Sequence, residues 1–208
     1  MTKIKICGLM SAEDAELASH NGADFGGVVM FFPKSHRNTD AEKAAEIVSV
    51  LKKNGTVPVA VTVEPASEQI KIIKSCGFEY IQIHGNVDKE LIEKSPLPVI
   101  KAFNVKDIDM YEIYAGCSNI EGYVFDAAEP GSGRTFEWDI VRKLRNDGRM
   151  KILAGGLSAM NVADAINEVR PDCVDISSGV ENDTRTGKDA VKIKEFVSAV
   201  KRADAVIL

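Results

Sequence analysis

A small set of residues in this chain has side chains able to move protons or hold anions, and most stand where an apolar run ends. Cys7 closes KIKIC just before Gly8, His84 closes YIQIH before Gly85, Asp126 follows Tyr123, Val124 and Phe125, and Asp175 interrupts CVDIS. A free thiol with a pKa of about 8.5 is a few per cent thiolate at neutral pH, and nearby positive charge raises that fraction, so Cys7 can act as nucleophile or general base. Cys76, Cys117 and Cys173 read as small buried hydrophobes. A structural aspartate more often caps a helix. Asp126 instead opens the Gly/Pro-rich stretch AAEPGSGRTF, which has the length of a lid, and the next helix is expected from about Glu137. A carboxyl partly desolvated under such a lid keeps its proton long enough to serve as a general acid. One base and one acid across a common mouth suit proton relocation.

Two further features suit anions. Arg37, in FFPKSHR, carries a planar donor fork that matches a carboxylate, although taken alone it reads as a solvated surface arginine, as do Lys34 and His36 as surface groups. The turns LAGGLSAMN and DISSGVEND bring Gly155, Gly156, Ser178 and Gly179, whose backbone N–H groups can approach phosphate oxygens closely. A single Gly-Gly is more often an ordinary strand-to-helix turn. Two such turns after the last two strands of a closed parallel barrel reverse that preference.

Such residues must be positioned by regular elements, and the hydrophobic pattern supplies them. Strands are expected at KIKICG (3–8), FGGVVMF (25–31), PVAVTVE (58–64), YIQIHG (80–85), PVIKAF (98–103), GYVFDA (122–127), KILAGG (151–156) and CVDISSG (173–179). Helical segments lie between them: AEDAELASHNG, DAEKAAEIVSVLKKN, SEQIKIIKSCG, DKELIEKS and NVADAINEVR, several opening on Asp, Ser or Asn and closing at Gly or Pro. The last, DAVKIKEFVSAVKRA, is expected to bury Val191, Ile193, Phe196, Val197 and Val200 as one stripe, and Trp138 to pack the sixth helix onto the barrel. About eight strand-then-helix units in about 200 residues is the lower size limit of a (β/α)8 TIM barrel, so residues 1–208 read as one α/β domain with a closed parallel sheet. A doubly wound open sheet is the alternative, but it usually carries a Gly-rich dinucleotide turn after its first strand, where this chain has Cys7, Gly8, Leu9. In the barrel, the candidate residues converge on the C-terminal mouth.

Bulk properties narrow the partners. The 208 residues are 45% hydrophobic with a formal net charge of -5 spread along the chain, which leaves no nucleic-acid or membrane footprint. The first residues lack a secretory pattern and no run approaches the roughly 20 apolar residues of a membrane span, so the expected location is cytoplasmic. The cysteines form no CxxC pair or Cys/His cluster, so neither zinc nor a disulfide framework is expected. An anionic small substrate needs a local positive site in so acidic a chain.

KICGL, GVVMFFPKSHR, IQIHG, FDA followed by GSGRTFEWD, ILAGGLSAMNVADAI and VDISSGVENDTRTGKD, in this order and spacing, resemble the phosphoribosylanthranilate isomerase family along essentially the whole chain. The resemblance implies an Amadori rearrangement, which converts N-(5-phosphoribosyl)anthranilate to 1-(2-carboxyphenylamino)-1-deoxyribulose 5-phosphate in tryptophan biosynthesis. It implies Asp126 as the general acid on the ring oxygen and Cys7 as the general base on C2. Arg37 matches the residue that receives the anthranilate carboxylate, the AGG and SSG turns match the phosphate cradle, and His84 and Asp175 match mouth-lining substrate contacts. No metal or organic cofactor is implied, because the substrate's own nitrogen becomes the electron sink. Members occur as monomers and as homodimers.

Two stretches depart from the family pattern. At the third strand, VAVTVEP has Ala60 and Thr62 where Gly and Phe are common, which bears on the pocket wall there. The lid carries Pro130 where a second glycine is common and looks a few residues short. The histidine-pathway Amadori isomerase resembles the chain less, since that family uses an aspartate where Cys7 stands. Indole-glycerol-phosphate synthase relies on lysine and glutamate in early strands, where the third strand here offers only Glu64 at its end. A non-catalytic phosphate-binding barrel is the remaining alternative, and the presence of both Cys7 and Asp126 weighs against it.

Overall fold

A computed structural model describes residues 1–104, 110–126, 138–143 and 147–207. The expected lid AAEPGSGRTF, with Pro130, and Glu137 lie outside the described residues. In chain order the strands are β1 (Lys3–Cys7), β2 (Phe25–Met30), the two-residue β3 (Asn38–Thr39), β4 (Val57–Val63), β5 (Tyr80–His84), β6 (Val99–Asn104), β7 (Ile120–Asp126), β8 (Met150–Ala154) and β9 (Cys173–Ile176). They pair in the order β1-β9-β8-β7-β6-β5-β4-β2-β3, and β1 also pairs with β2, so every strand but β3 belongs to a closed ring. All the pairings in that ring are parallel. This is the (β/α)8 barrel that the alternation of patterns predicts.

The helices are α1 (Ala12–His20), α2 (Ala41–Lys53), α3 (Ser67–Ser75), α4 (Lys89–Glu93), α5 (Tyr111–Tyr114), α6 (Trp138–Lys143), α7 (Val162–Val169) and α8 (Ala190–Ile207). Local chemistry starts them: Ser11 Oγ accepts from Asp14 N at 3.1 Å and Asp40 Oδ1 from Lys43 N at 2.9 Å, satisfying orphan donors of the first turn. α5 has no counterpart in the sequence reading, because four residues are too few to show a helical period. Its Tyr111 and Tyr114 rings lie 6.2 Å and 5.9 Å from Phe103, so aromatic packing replaces length there.

On α8, Ile193, Phe196, Val197 and Val200 are buried as expected, but Val191 is 64% exposed. Residues 193, 196, 197 and 200 follow the helical period, whereas a residue two before the stripe points about 200° away from it. Each such buried side chain contributes roughly 1.5–3 kcal/mol relative to exposure. Trp138 is buried in the same layer between strands and helices.

Strand alternation divides the interior in two. Ile4, Ile6, Ala60, Ile81, Ile83, Phe125 and Leu153 face the helices in the larger core. Phe25, Val59, Ile100, Val124, Ile152 and Cys173 fill the barrel itself. Within VAVTV, Ala60 therefore packs against helices, and Thr62, two residues on, shares that side, while Val61 reaches the mouth. The departures at the third strand leave the pocket wall untouched.

Candidate active site

A cavity of about 440 Å³ opens at the carboxyl ends of the strands, and Cys7, Arg37, His84, Asp126, Gly155, Gly156, Asp175, Ser178 and Gly179 all line it. A larger cavity of about 600 Å³ lies at the opposite rim, against Lys3, Phe25, Tyr80 and Asp172, and gathers none of these residues. The convergence has a simple cause. Cys7, His84 and Asp126 are the last residues of β1, β5 and β7, on the inward-facing alternation, and a closed parallel sheet brings all such ends to one rim.

Cys7 is nearly buried. Burial pushes its thiol up; the Lys5 ammonium pulls it down, Asp175 pushes it up again and Lys188 pulls it down. Beside it, a Cβ built on Gly27 would come 2.8 Å from Cys7 Sγ, so only glycine leaves the sulfur its space. Gly8 follows with φ +73, a left-handed conformation that glycine adopts without strain, and a Cβ there would lie 2.9 Å from Ser177 Oγ and run into the Arg37 chain. The KICG turn thus packs directly under the arginine.

Arg37 is no free surface group. Its Nε donates to Oε1 of the buried Glu181, which among the described residues leaves the two terminal nitrogens of the fork for a further partner. Glu181 also lies 3.5 Å from His36 Nε2 and 3.8 Å from the Nζ of Lys188, whose side chain is fully buried and donates to Ser177 O at 3.1 Å. Burial pushes the Glu181 carboxyl up, but Arg37, Lys188 and His36 more than reverse this and hold it below the usual carboxylate range. A backbone bridge between Glu181 and Lys188 fixes the pair. His36, read from sequence as a surface group, belongs to this cluster and lines the cavity.

Lower in the mouth, Gln82 Nε2 donates to His84 Nε2 at 2.8 Å. Burial, reinforced by Lys5 and Lys101, pushes the His84 imidazole down to about 4, so it is neutral at physiological pH. Asp175 lies deeper than a rim residue: its Oδ2 accepts from Lys5 Nζ at 2.6 Å, and its buried Oδ1 has no hydrogen-bond partner among the described residues. It still lines the cavity.

The two small-residue turns meet each other. Gly155 and Gly156 have φ +88 and +64, and a Cβ on Gly179 would lie 2.7 Å from the carbonyl oxygen of Leu157. Ser178–Val180 forms a short 3-10 turn. This close approach leaves a concave stretch of glycine and serine backbone with Arg185 at its edge, able to receive an anion. Glu64, the lone acid of the third strand's end, turns elsewhere and accepts from Asn86 N at 2.9 Å.

All the predicted site residues come together. Sequence reading missed Lys5, Gln82, Glu181, Lys188 and Arg185. Lys5 carried one signal, a charge at an inward position of a fully buried strand; Glu181 and Lys188 sit in a polar loop where nothing marks them. Among the described residues, no group of His, Cys, Asp and Glu side chains is arranged to hold a metal ion.

Comparison with known proteins follows the same line. A family profile described as "PRAI: N-(5'phosphoribosyl)anthranilate (PRA) isomerase" matches residues 4–199. The chain is 39% identical over 210 residues to the N-(5'-phosphoribosyl)anthranilate isomerase of Aquifex aeolicus, covering 97% of this chain and 99% of that one. It is 38% identical to that of Streptococcus gordonii, over 97% and 98%. Among solved structures, phosphoribosyl anthranilate isomerase from Thermotoga maritima superposes with a TM-score of 0.86 at 35% identity, covering 97% of this chain and 100% of that chain. A phosphoribosyl anthranilate isomerase in complex with reduced 1-(o-carboxyphenylamino)-1-deoxyribulose 5-phosphate superposes at 0.84 with 33% identity, over 97% and 100%.

Proposed function

Because the chain belongs to the N-(5'-phosphoribosyl)anthranilate isomerase family, and is thus an isomerase of tryptophan biosynthesis, we propose that Cys7 and Asp126 are the base and acid of its Amadori rearrangement. The observation that carries this reading is that a thiol and a carboxyl, at the inward ends of β1 and β7, line one cavity. Asp126 gives a proton to the ribose ring oxygen as the C1–O bond breaks, and the anthranilate nitrogen supplies the electron pair that makes the iminium. The Cys7 thiolate then takes the C2 proton. The C–H electrons become the C1=C2 bond while the iminium pair returns to nitrogen. Ketonisation, in which C1 gains a proton and the C2 hydroxyl loses one, yields the 1-amino-1-deoxyketose. Proximity of acid, base and substrate is the main demand of this chemistry.

Arg37 receives the anthranilate carboxylate through its terminal nitrogens, and the backbone at Gly155, Gly156, Ser178 and Gly179 receives the phosphate. This reading is supported by a substrate with an anion at each end and a cavity with a fork on one side and a glycine-serine cradle on another. His84 and Asp175 contact the sugar hydroxyls, for which a neutral imidazole and a carboxylate side chain lining the same cavity are suited. Residues 1–208 act as one catalytic domain in the cytoplasm, as a monomer or homodimer, on a small phosphorylated substrate, without nucleic-acid or membrane partners. Among the described residues no helix is long and apolar enough to cross a membrane.

The test is incubation with enzymatically generated phosphoribosylanthranilate, following the loss of anthranilate-type fluorescence, with Cys7→Ser and Asp126→Asn beside the parent chain. Turnover is expected to fall at least about 100-fold in each variant with folding intact. Parent-like turnover in either one removes that residue's role; no reaction in the parent chain favours a binding barrel.

A further inference from the structure

We propose that Lys5 is a positioning residue for Cys7: a buried ammonium, anchored by Asp175, whose charge sets how readily the thiol becomes the thiolate that the reaction needs. The inference deepens the assignment of Cys7 as the base and rests on it.

Lys5 and Cys7 lie two residues apart on β1, so both face into the barrel, one step of about 7 Å along the strand. Lys5 is fully buried. In the register of the sheet it stands opposite Asp175 of β9, and the two side chains meet at 2.6 Å. The inward layer nearby is filled by Phe25, Val59, Ile152 and Cys173, so apolar side chains are the ordinary filling of this barrel. A buried ion pair is a poor way to gain stability, because desolvation consumes most of the attraction and apolar replacements are often neutral or better. Stability therefore does not account for a lysine here.

Its neighbour does. A nearly buried thiol ionises reluctantly, and the inward charges decide by how much. Lys5 and Lys188 favour the thiolate at Cys7, while Asp175 opposes it. Burial works against the Lys5 charge too, but Asp175, and after it Cys7, more than offset this, so Lys5 keeps its proton. Cys173 faces the same lysine, and His84 is held neutral by burial with Lys5 and Lys101 behind it, so the imidazole adds no charge at neutral pH. Asp175 spends Oδ2 on Lys5 and keeps Oδ1 without a hydrogen bond among the described residues. The two halves of one ion pair thus act on the thiol in opposite directions.

That opposition makes a test independent of substrate. Alkylation of Cys7 by iodoacetamide across pH, located by peptide mass spectrometry, gives the midpoint of thiolate formation in the parent chain and in Lys5→Met, Lys5→Arg and Asp175→Asn. Lys5→Met is expected to raise the midpoint by about a unit or more, slowing alkylation at neutral pH about tenfold. Asp175→Asn is expected to lower it, and Lys5→Arg to stay near the parent. A lost packing contact has no reason to move the two charge-removing variants apart. Midpoints that coincide in all the folded chains, or that move the same way in Lys5→Met and Asp175→Asn, overturn the proposal. If Lys5→Met does not fold, the direction in Asp175→Asn decides alone. The acid limb of kcat/KM is expected to follow the alkylation midpoints. If the midpoints move and the limb does not, it is Cys7's role as base that fails, while the hold of Lys5 on the thiol stands.

Discussion

Glu181→Ala tests whether the fork of Arg37 is aimed by the loop after β9. The substitution removes the acceptor of Arg37 Nε and strands Lys188, whose fully buried ammonium is left, among the described residues, with its bond to Ser177 O at 3.1 Å. Deleting one partner of a buried pair costs about 3–5 kcal/mol. At about 2–4 °C per kcal/mol for a chain of this length, melting followed by circular dichroism should drop by roughly 10 °C. Turnover tells more than melting. An Arg37 no longer held at Nε loses one charge-assisted bond's worth of alignment, about 1.5 kcal/mol, which is roughly tenfold in KM, with kcat changed far less. Glu181→Gln keeps an acceptor without the charge, so its KM should recover to within about threefold of the parent while its melting temperature stays low. A Glu181→Ala chain that melts like the parent and shows the parent's KM refutes the argument, since both consequences follow from the same contact.

Three further outcomes follow from the geometry. Gly179→Ala places a Cβ 2.7 Å from the Leu157 carbonyl, so the two turns must part; the competitive inhibition constant of inorganic phosphate should rise about tenfold, and an unchanged constant removes the cradle assignment. Gly27→Ala puts a methyl 2.8 Å from Cys7 Sγ and should cut kcat about tenfold while leaving phosphate inhibition intact; equal kcat shows that the sulfur has room to move. His84 titrates near 4 when folded against 6.5 when unfolded, so as pH falls the unfolded chain binds its proton first. Stability is unaffected above pH 6.5 and declines between 6.5 and 4, by up to about 3 kcal/mol. Urea midpoints at pH 7 and pH 4.5 should therefore differ less in His84→Gln than in the parent chain, and an equal difference in both shows that the imidazole takes up its proton as readily in the fold as in the unfolded chain.

Much of the molecule was legible along the chain because strand and helix periods are local. KIKIC, YIQIH and YVFD end in polar residues after apolar alternation, and β1, β5 and β7 end on those same residues. The positions of Cys7, His84 and Asp126 followed once eight parallel strands closed on themselves. Where the local signal was thin, the reading slipped: α5 is a single turn without a period, and Val191 sits off the stripe of α8.

Tertiary structure alone decided what surrounds each group. Lys5 and Asp175 are a pair only because the sheet register sets β1 against β9, 170 residues apart in sequence. Glu181 became the anchor of Arg37 only when two loops, 144 residues apart, folded over the same rim. Residue type and spacing establish which chemistries a chain carries, since they depend on covalent structure and local propensity. Charge state and aim depend on burial and through-space distance, and these exist only after the barrel has closed.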